Sequence, residues 1–163
     1  MTTPCSALTC RDQVGGEVDW WILYKMPKSK EAYVNKKIGK KHYMKKRDRR
    51  RFQTNLHEGV AYAYLTSSMP DTSWTLSPVA IDDPGSMPGR TLSPLYGGNS
   101  SDLVSVMYND EHPHGPTSFN LGHTKGLVLG DRSSSVWIIH SVPHYPPYPN
   151  ESYSYPQTGK CSL

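Results

Sequence analysis

Two apolar runs separated by one short polar turn constrain this chain more than any other feature. Residues 122–129 and 136–142 are rich in strand formers, and Gly130-Asp131-Arg132-Ser133-Ser134-Ser135 between them has turn chemistry, so the segment reads as a β-hairpin. If the hairpin closes symmetrically, Leu129 faces Val136, and counting back sets Lys125 opposite His140. Cross-strand partners share a face. Alternation then gathers His123, Lys125 and His140 into one cationic cluster and turns Trp137 and Ile139 the other way. A bulge of one residue would undo the alignment.

Gly122-His123-Thr124-Lys125-Gly126 at the head of that hairpin has the chemistry of phosphoryl transfer. A neutral imidazole can attack phosphorus and form a covalent intermediate, while a lysine neutralises charge on the non-bridging oxygens. Such chemistry requires no metal. Read alone, the tripeptide is more often a pair of solvated polar positions, and His140 alone is a hydrogen-bonded core histidine. No glycine-rich phosphate loop and no zinc-like Cys/His spacing is present, so neither cofactor nor metal is expected.

With 163 residues the chain is expected to form one domain with a real core. Its 14 prolines, 13 glycines and 11 tyrosines favour a loop-rich, β-containing fold over a helical bundle. No run of about 18 apolar residues exists, which excludes a transmembrane helix, and the first ten residues lack the pattern of a signal peptide. Asn99-Ser100-Ser101 and Asn150-Glu151-Ser152 are N-glycosylation sequons in turn-like settings. Cys5, Cys10 and Cys161 sit at the extreme ends of the chain. A bridge from Cys10 to Cys161 would close a loop worth roughly 4–5 kcal/mol in the chain-entropy view and leave Cys5 odd; three free thiols are the alternative.

Charge is concentrated. Residues 28–51 hold 12 of the 18 basic side chains and only Glu31 and Asp48 of the 14 acids. Lys36, Lys37, Lys40, Lys41, Lys45, Lys46 and Arg47, with Tyr43 and Phe52 as stacking groups, suit a phosphate backbone and make DNA a candidate partner. A nuclear-localisation patch or an exposed basic insertion fits the same composition. Acidification would charge the histidines and strengthen the hold on a polyanion.

Elsewhere, residues 18–27 read as a first strand, residues 59–65 as a short strand, residues 67–89 as a loop and residues 102–110 as a central strand. Asn109 and Asp110 terminate that last strand, at a point where they can also reach a functional edge. Asp82 and Asp83 are turn formers, and His112 and His114 surface residues. The Pro/Tyr-rich stretch 143–156 reads as a strap laid over the domain.

In order along the chain, Leu8-Thr9-Cys10-Arg11-Asp12, Val18-Asp19-Trp20-Trp21-Ile22-Leu23-Tyr24-Lys25-Met26-Pro27, Ser93-Pro94-Leu95-Tyr96, Asn99-Ser100-Ser101, Tyr108-Asn109-Asp110, Gly122-His123-Thr124-Lys125-Gly126 and His140-Ser141-Val142-Pro143 resemble the amino-terminal half of the type II acid deoxyribonucleases. The resemblance spans nearly the whole chain. It implies an α/β, phospholipase D-like half-domain over residues 1–163, a mixed β-sheet flanked by helices and rich in loops. It also implies metal-independent cleavage of DNA to 3′-phosphates at acid pH, in a lysosomal or secreted setting. His123 and Lys125 then match the first active-site pair, His140 the family's His-Ser-Val-Pro segment, Cys10 and Cys161 a disulfide, and Asn99 a glycosylation site. The basic stretch departs from the family's shorter, less charged segment. No second His-x-Lys occurs, so the chain is expected to be a fragment or shortened product whose missing pair comes from a second half or from a homodimer. The rival expectation is a truncated, inactive protein that binds DNA or another partner.

Overall fold

The structure is a computed structural model that describes residues 8–29, 45–71, 73–97, 102–116, 120 and 124–156. The chain begins with a small ladder of β1 (Cys10–Arg11) and β2 (Glu17–Val18). β3 (Trp21–Lys25), β4 (Tyr62–Thr66) and β5 (Thr75–Leu76) form one antiparallel sheet in that order. β6 (Val104–Asn109), β7 (Lys125–Gly130) and β8 (Ser135–His140) form another. Every pairing among the described strands is antiparallel. The loop-rich α/β character expected from the sequence is present.

Helix α1 (Lys46–Glu58) grows out of the basic stretch and continues past its expected end at Arg51. Phe52 and Leu56 lie one turn apart and are buried against Met26, Ala61 and Ala63, while Lys46, Arg47, Arg49, Arg50 and Arg51 face water. Gly59, at φ 75°, ends the helix in the left-handed conformation that glycine adopts without a Cβ clash. β4 is therefore buried on both faces, with Ala63 towards α1 and Tyr62 and Tyr64 towards the main core.

Leu127, Leu129, Val136 and Ile138 project from the second sheet into that same main core. Complete burial of Leu127 and Leu129 contributes about 1.5–3 kcal/mol each, so the inner face of this hairpin is strongly specified. Its outer face is bare: Val104, Val106, Trp137 and Ile139 are all more than half exposed. The segment expected to be a central strand is instead the outer strand β6, because β7 takes the middle position between the two hairpin partners.

Two further expectations are refined. Within the stretch read as a loop, Ser86 caps α2 (Met87–Thr91) by accepting from Gly89 N at 3.1 Å, and α3 (Ser93–Tyr96) follows. Asp83 does serve as a turn former, its Oδ1 accepting from Gly85 N at 2.7 Å. The Pro/Tyr-rich strap does more than cover the domain, since Tyr145, Tyr153 and Tyr155 enter the main core. Tyr153 donates to Ile81 O at 2.7 Å, which satisfies the polar tip of a ring that is otherwise apolar.

Candidate functional site

The hairpin closes in the symmetric register. Asp131 N donates to Ser134 O, and from that turn the ladder pairs Leu129 with Val136 and Lys125 with His140. β6 adds Asn109 directly across from Lys125 on the other side. Asn109, Lys125 and His140 thus stand abreast at one end of the sheet and share its inner face, because directly opposed residues project the same way. Trp137 and Ile139 face outward, as alternation requires.

The cluster is not the purely cationic one that the sequence suggests. Just past β6 the chain bends, and Asp110 and Glu111 fold back onto Lys125. Its Nζ forms an ion pair with Asp110 Oδ1 and a second with Glu111 Oε2 at 3.2 Å. The lysine side chain is 1% exposed, and its partners are 10% and 5% exposed. Burial pushes the ammonium's pKa down, while the two carboxylates favour its charged form. A lysine in this position is affordable only with such partners, since an unpaired buried charge costs several kcal/mol.

Asn109 braces the bend. Its Oδ1 accepts from Glu111 N at 2.8 Å, and its Nδ2 donates to Val142 O at 3.2 Å and Tyr145 O at 2.8 Å. One amide side chain therefore ties the turn carrying the carboxylates to the loop that follows His140. Sequence reasoning placed Asn109 and Asp110 at a strand end but assigned neither this brace nor the pairing of Asp110 and Glu111 with Lys125. The visible signal was only two polar residues terminating an apolar strand.

His140 is held with equal definition. Its Nδ1 accepts from Val142 N at 3.1 Å, which places the proton of the neutral ring on Nε2. Nε2 is buried and meets no hydrogen-bond partner among the described residues. The ring stands edge-on to Tyr145, with centroids 5.2 Å apart. Burial, and then the charge of Lys125, pull its pKa down to about 4. Beside it lies a cleft of about 450 Å³ bounded by Trp21, Tyr24, Lys25, Tyr145 and Tyr155. The cleft touches His140 but not Lys125, which its carboxylates cover.

His123, Asn99, Cys5, Cys161, Lys36, Lys37, Lys40 and Lys41 lie outside the described residues. Cys10 is half-buried in β1, where burial and Asp19 raise the pKa of its thiol. Asn150 is exposed in a turn, accessible as a sequon requires. Lys45, Lys46 and Arg47 are exposed at the start of α1. His112 pairs with the Tyr148 hydroxyl and His114 with Glu151 at 2.7 Å. No group of metal-binding side chains occurs among the described residues, and no helix among them is long and apolar enough to cross a membrane.

The family model described as Deoxyribonuclease II matches residues 9–162. Human Deoxyribonuclease-2-beta is 36% identical over 160 residues, which cover 95% of this chain and 38% of that protein. Rat Deoxyribonuclease-2-alpha is 32% identical over 161 residues, covering 96% and 40% respectively. Cell-death-related nuclease 7 of Caenorhabditis elegans is 30% identical over 159 residues, covering 98% and 36%. The chain thus spans about four-tenths of the length of these relatives.

Proposed function

The chain belongs to the deoxyribonuclease II family, and on that premise we propose that it carries one half of an endodeoxyribonuclease site. In this reading a histidine attacks a DNA phosphodiester at acid pH, without a metal, and yields 3′-phosphate products in a lysosomal or secreted setting. The supporting observation is the register of the hairpin, which brings Lys125 and His140 of the family's His-x-Lys and His-Ser-Val-Pro segments side by side at one sheet end.

The reaction divides into two displacements. A neutral imidazole nitrogen attacks phosphorus in line, the P–O5′ bond breaks, and a protonated histidine delivers its proton to the departing O5′. Water then attacks the phosphohistidine, with the second histidine taking the water's proton. The P–N bond breaks and the DNA leaves with a 3′-phosphate. His140 stays neutral down to about pH 4, so it does not supply the leaving-group proton at moderately acid pH. Its Nε2–H instead donates a hydrogen bond, supporting a non-bridging oxygen. His123 takes a principal role, as nucleophile or acid, and Lys125 binds the phosphate in place of the Asp110 and Glu111 carboxylates that cover it here. The other His-x-Lys comes from a second copy or from the remainder of the family's polypeptide. The phospholipase D-like half-domain, the disulfide of Cys10 with Cys161 and glycosylation at Asn99 and Asn150 belong to the same reading.

The carboxylate cover on Lys125 favours a second reading, in which the chain alone binds DNA through Lys36, Lys37, Lys40, Lys41, Lys45, Lys46 and Arg47 without cutting it. Plasmid nicking at about pH 5 in EDTA separates the two, because a histidine acid is populated there and a metal is not available. The nuclease reading expects nicking by the chain, alone or as a dimer, that His123→Ala and Lys125→Ala abolish. Binding without nicking refutes it for the isolated chain, and nicking that survives His123→Ala refutes the assigned chemistry.

A further inference from the structure

The Asp110 and Glu111 carboxylates cover Lys125 but leave the neighbouring cleft at His140 open. It lies between β3 and residues 138–145 and encloses about 450 Å³. Pockets that take small organic ligands span about 300–1,000 Å³. The walls are mostly apolar, and four are aromatic: Trp21, Tyr24, Tyr145 and Tyr155. No acidic side chain lines the cleft among the described residues, whereas Lys25 does, so its charge suits an anionic ligand. Leu8, Thr9 and Cys10 line the smaller cavity next to it and not this one.

Two of the walls also carry backbone hydrogen-bonding groups. Trp20 O accepts from Ser67 N and Met26 N donates to Ala61 O, so even-numbered residues of β3 spend their backbone groups on β4 and Leu23 directs its N–H and C=O the other way. On β8 the bond from Asp131 N to Ser134 O sets the phase: Ile138 and His140 bond β7, and Ile139 directs its backbone groups outward. Among the described strands β3 pairs only with β4 and β8 only with β7, and both Leu23 and Ile139 line the cleft. Flat-ringed walls therefore stand beside amide donors and acceptors. A nucleobase presents the complement, a π face and an edge of donors and acceptors. An apolar amino-acid side chain would suit the rings and leave the amides without partners.

We propose that this cleft is a base-binding subsite that takes one unstacked nucleobase of the DNA strand held at Lys125 and His140, an assignment that rests on the nuclease reading for its ligand and on the cleft for its geometry. His140 joins the two places, since it borders the cleft and its cross-strand partner is Lys125. Burial pushes the Tyr145 and Tyr155 hydroxyls above the ordinary phenol range, so both rings stay neutral beside a polyanion. A base inside a duplex is stacked and paired and has to leave the helix before it can enter such a cleft. The subsite therefore favours single-stranded or locally opened DNA, with the wall rings taking the place of the neighbouring bases.

The test is binding without turnover, on the whole chain at about pH 7, followed by NMR of the indole N–H signals. The probe is thymidine 3′,5′-bisphosphate, compared with abasic deoxyribose 3′,5′-bisphosphate, which keeps both phosphates and lacks the base. The thymidine probe binds at least about 10-fold more tightly than the abasic one. It shifts the indole of Trp21, in the cleft wall, and leaves that of Trp137, which bonds Tyr108 on the outer face of the sheet. Tyr24→Ala removes about 5-fold or more of the margin and Tyr24→Phe keeps it; Tyr24 is half exposed, so neither change strips the core. Equal affinity of the two probes, a shift at Trp137 in place of Trp21, indifference to Tyr24→Ala, or tighter binding of N-acetylleucine amide, which marks a seat for an apolar protein side chain, each overturns the proposal. A chain that binds the thymidine probe in the cleft but never nicks plasmid refutes the nuclease reading alone. One that nicks with equal affinity for both probes refutes the subsite alone.

Discussion

His140 should make the protein lose stability in acid, and the size of that loss follows from its surroundings. Burial and the neighbouring Lys125 charge hold its pKa at about 4 against an ordinary 6.5. At about 1.4 kcal/mol per unit the full shift would approach 3.4 kcal/mol, but the ring is only partly buried and solvent screens it, so about 2 kcal/mol is expected. Between these two pKa values the unfolded chain binds a proton that the folded chain refuses. The stabilisation is therefore complete above about pH 6.5, declines as the pH falls towards about 4, and is absent below that. His140→Asn keeps an oxygen acceptor for Val142 N and removes the titration. Urea unfolding, followed by tryptophan fluorescence at about pH 7 and about pH 4.5, should show the wild type losing about 2 kcal/mol more than the variant. Proton NMR of the ring gives the midpoint directly. A midpoint near 6.5, or parallel pH dependence in the two proteins, refutes the burial argument and returns His140 to the list of proton donors.

Two other substitutions probe the framework of the site. Lys125→Met strands Asp110 and Glu111 without a counter-charge and should cost about 3–5 kcal/mol in urea unfolding near neutral pH, most of it recovered when Asp110→Asn and Glu111→Gln are added. A single variant within 1 kcal/mol of wild type would contradict the buried triad. Gly126→Ala places a methyl against the Tyr108 ring and 2.7 Å from Ile138 O, a backbone atom that cannot yield cheaply. A loss of about 1–3 kcal/mol is expected by thermal or urea unfolding, and a neutral result would mean that Tyr108 does not cross over that glycine.

The hairpin and its facing pair were legible because two short apolar runs of strand formers and a short polar turn admit one symmetric closure, and that closure alone sets Lys125 against His140. Helix α1 was hidden by its own charge. Only Phe52 and Leu56 mark its buried side, and two apolar residues one turn apart are inconspicuous among so many lysines and arginines. Prolines erased the signal of the C-terminal strap, since Tyr145, Tyr153 and Tyr155 reach the core without either helical or strand spacing. The carboxylate cover was illegible for a different reason. Asp110 and Glu111 meet Lys125 through a bend whose direction is set by the Asn109 brace, and no local spacing encodes a contact made by a chain that turns back on itself.

One small loop governs which side of the sheet the chemistry looks out from. Asp131 Oδ1 gathers the Ser133 and Ser134 amides at 2.7 Å each, together with both serine hydroxyls. Those amide bonds bring its pKa down to about 2. Insertion or loss of a single residue there would invert the hairpin's two sides, delivering lysine to solvent and tryptophan to the interior. Because this clasp keeps its negative charge in media acidic enough to protonate ordinary carboxylates, the hairpin register, and with it the facing of Lys125 and His140, is held there too.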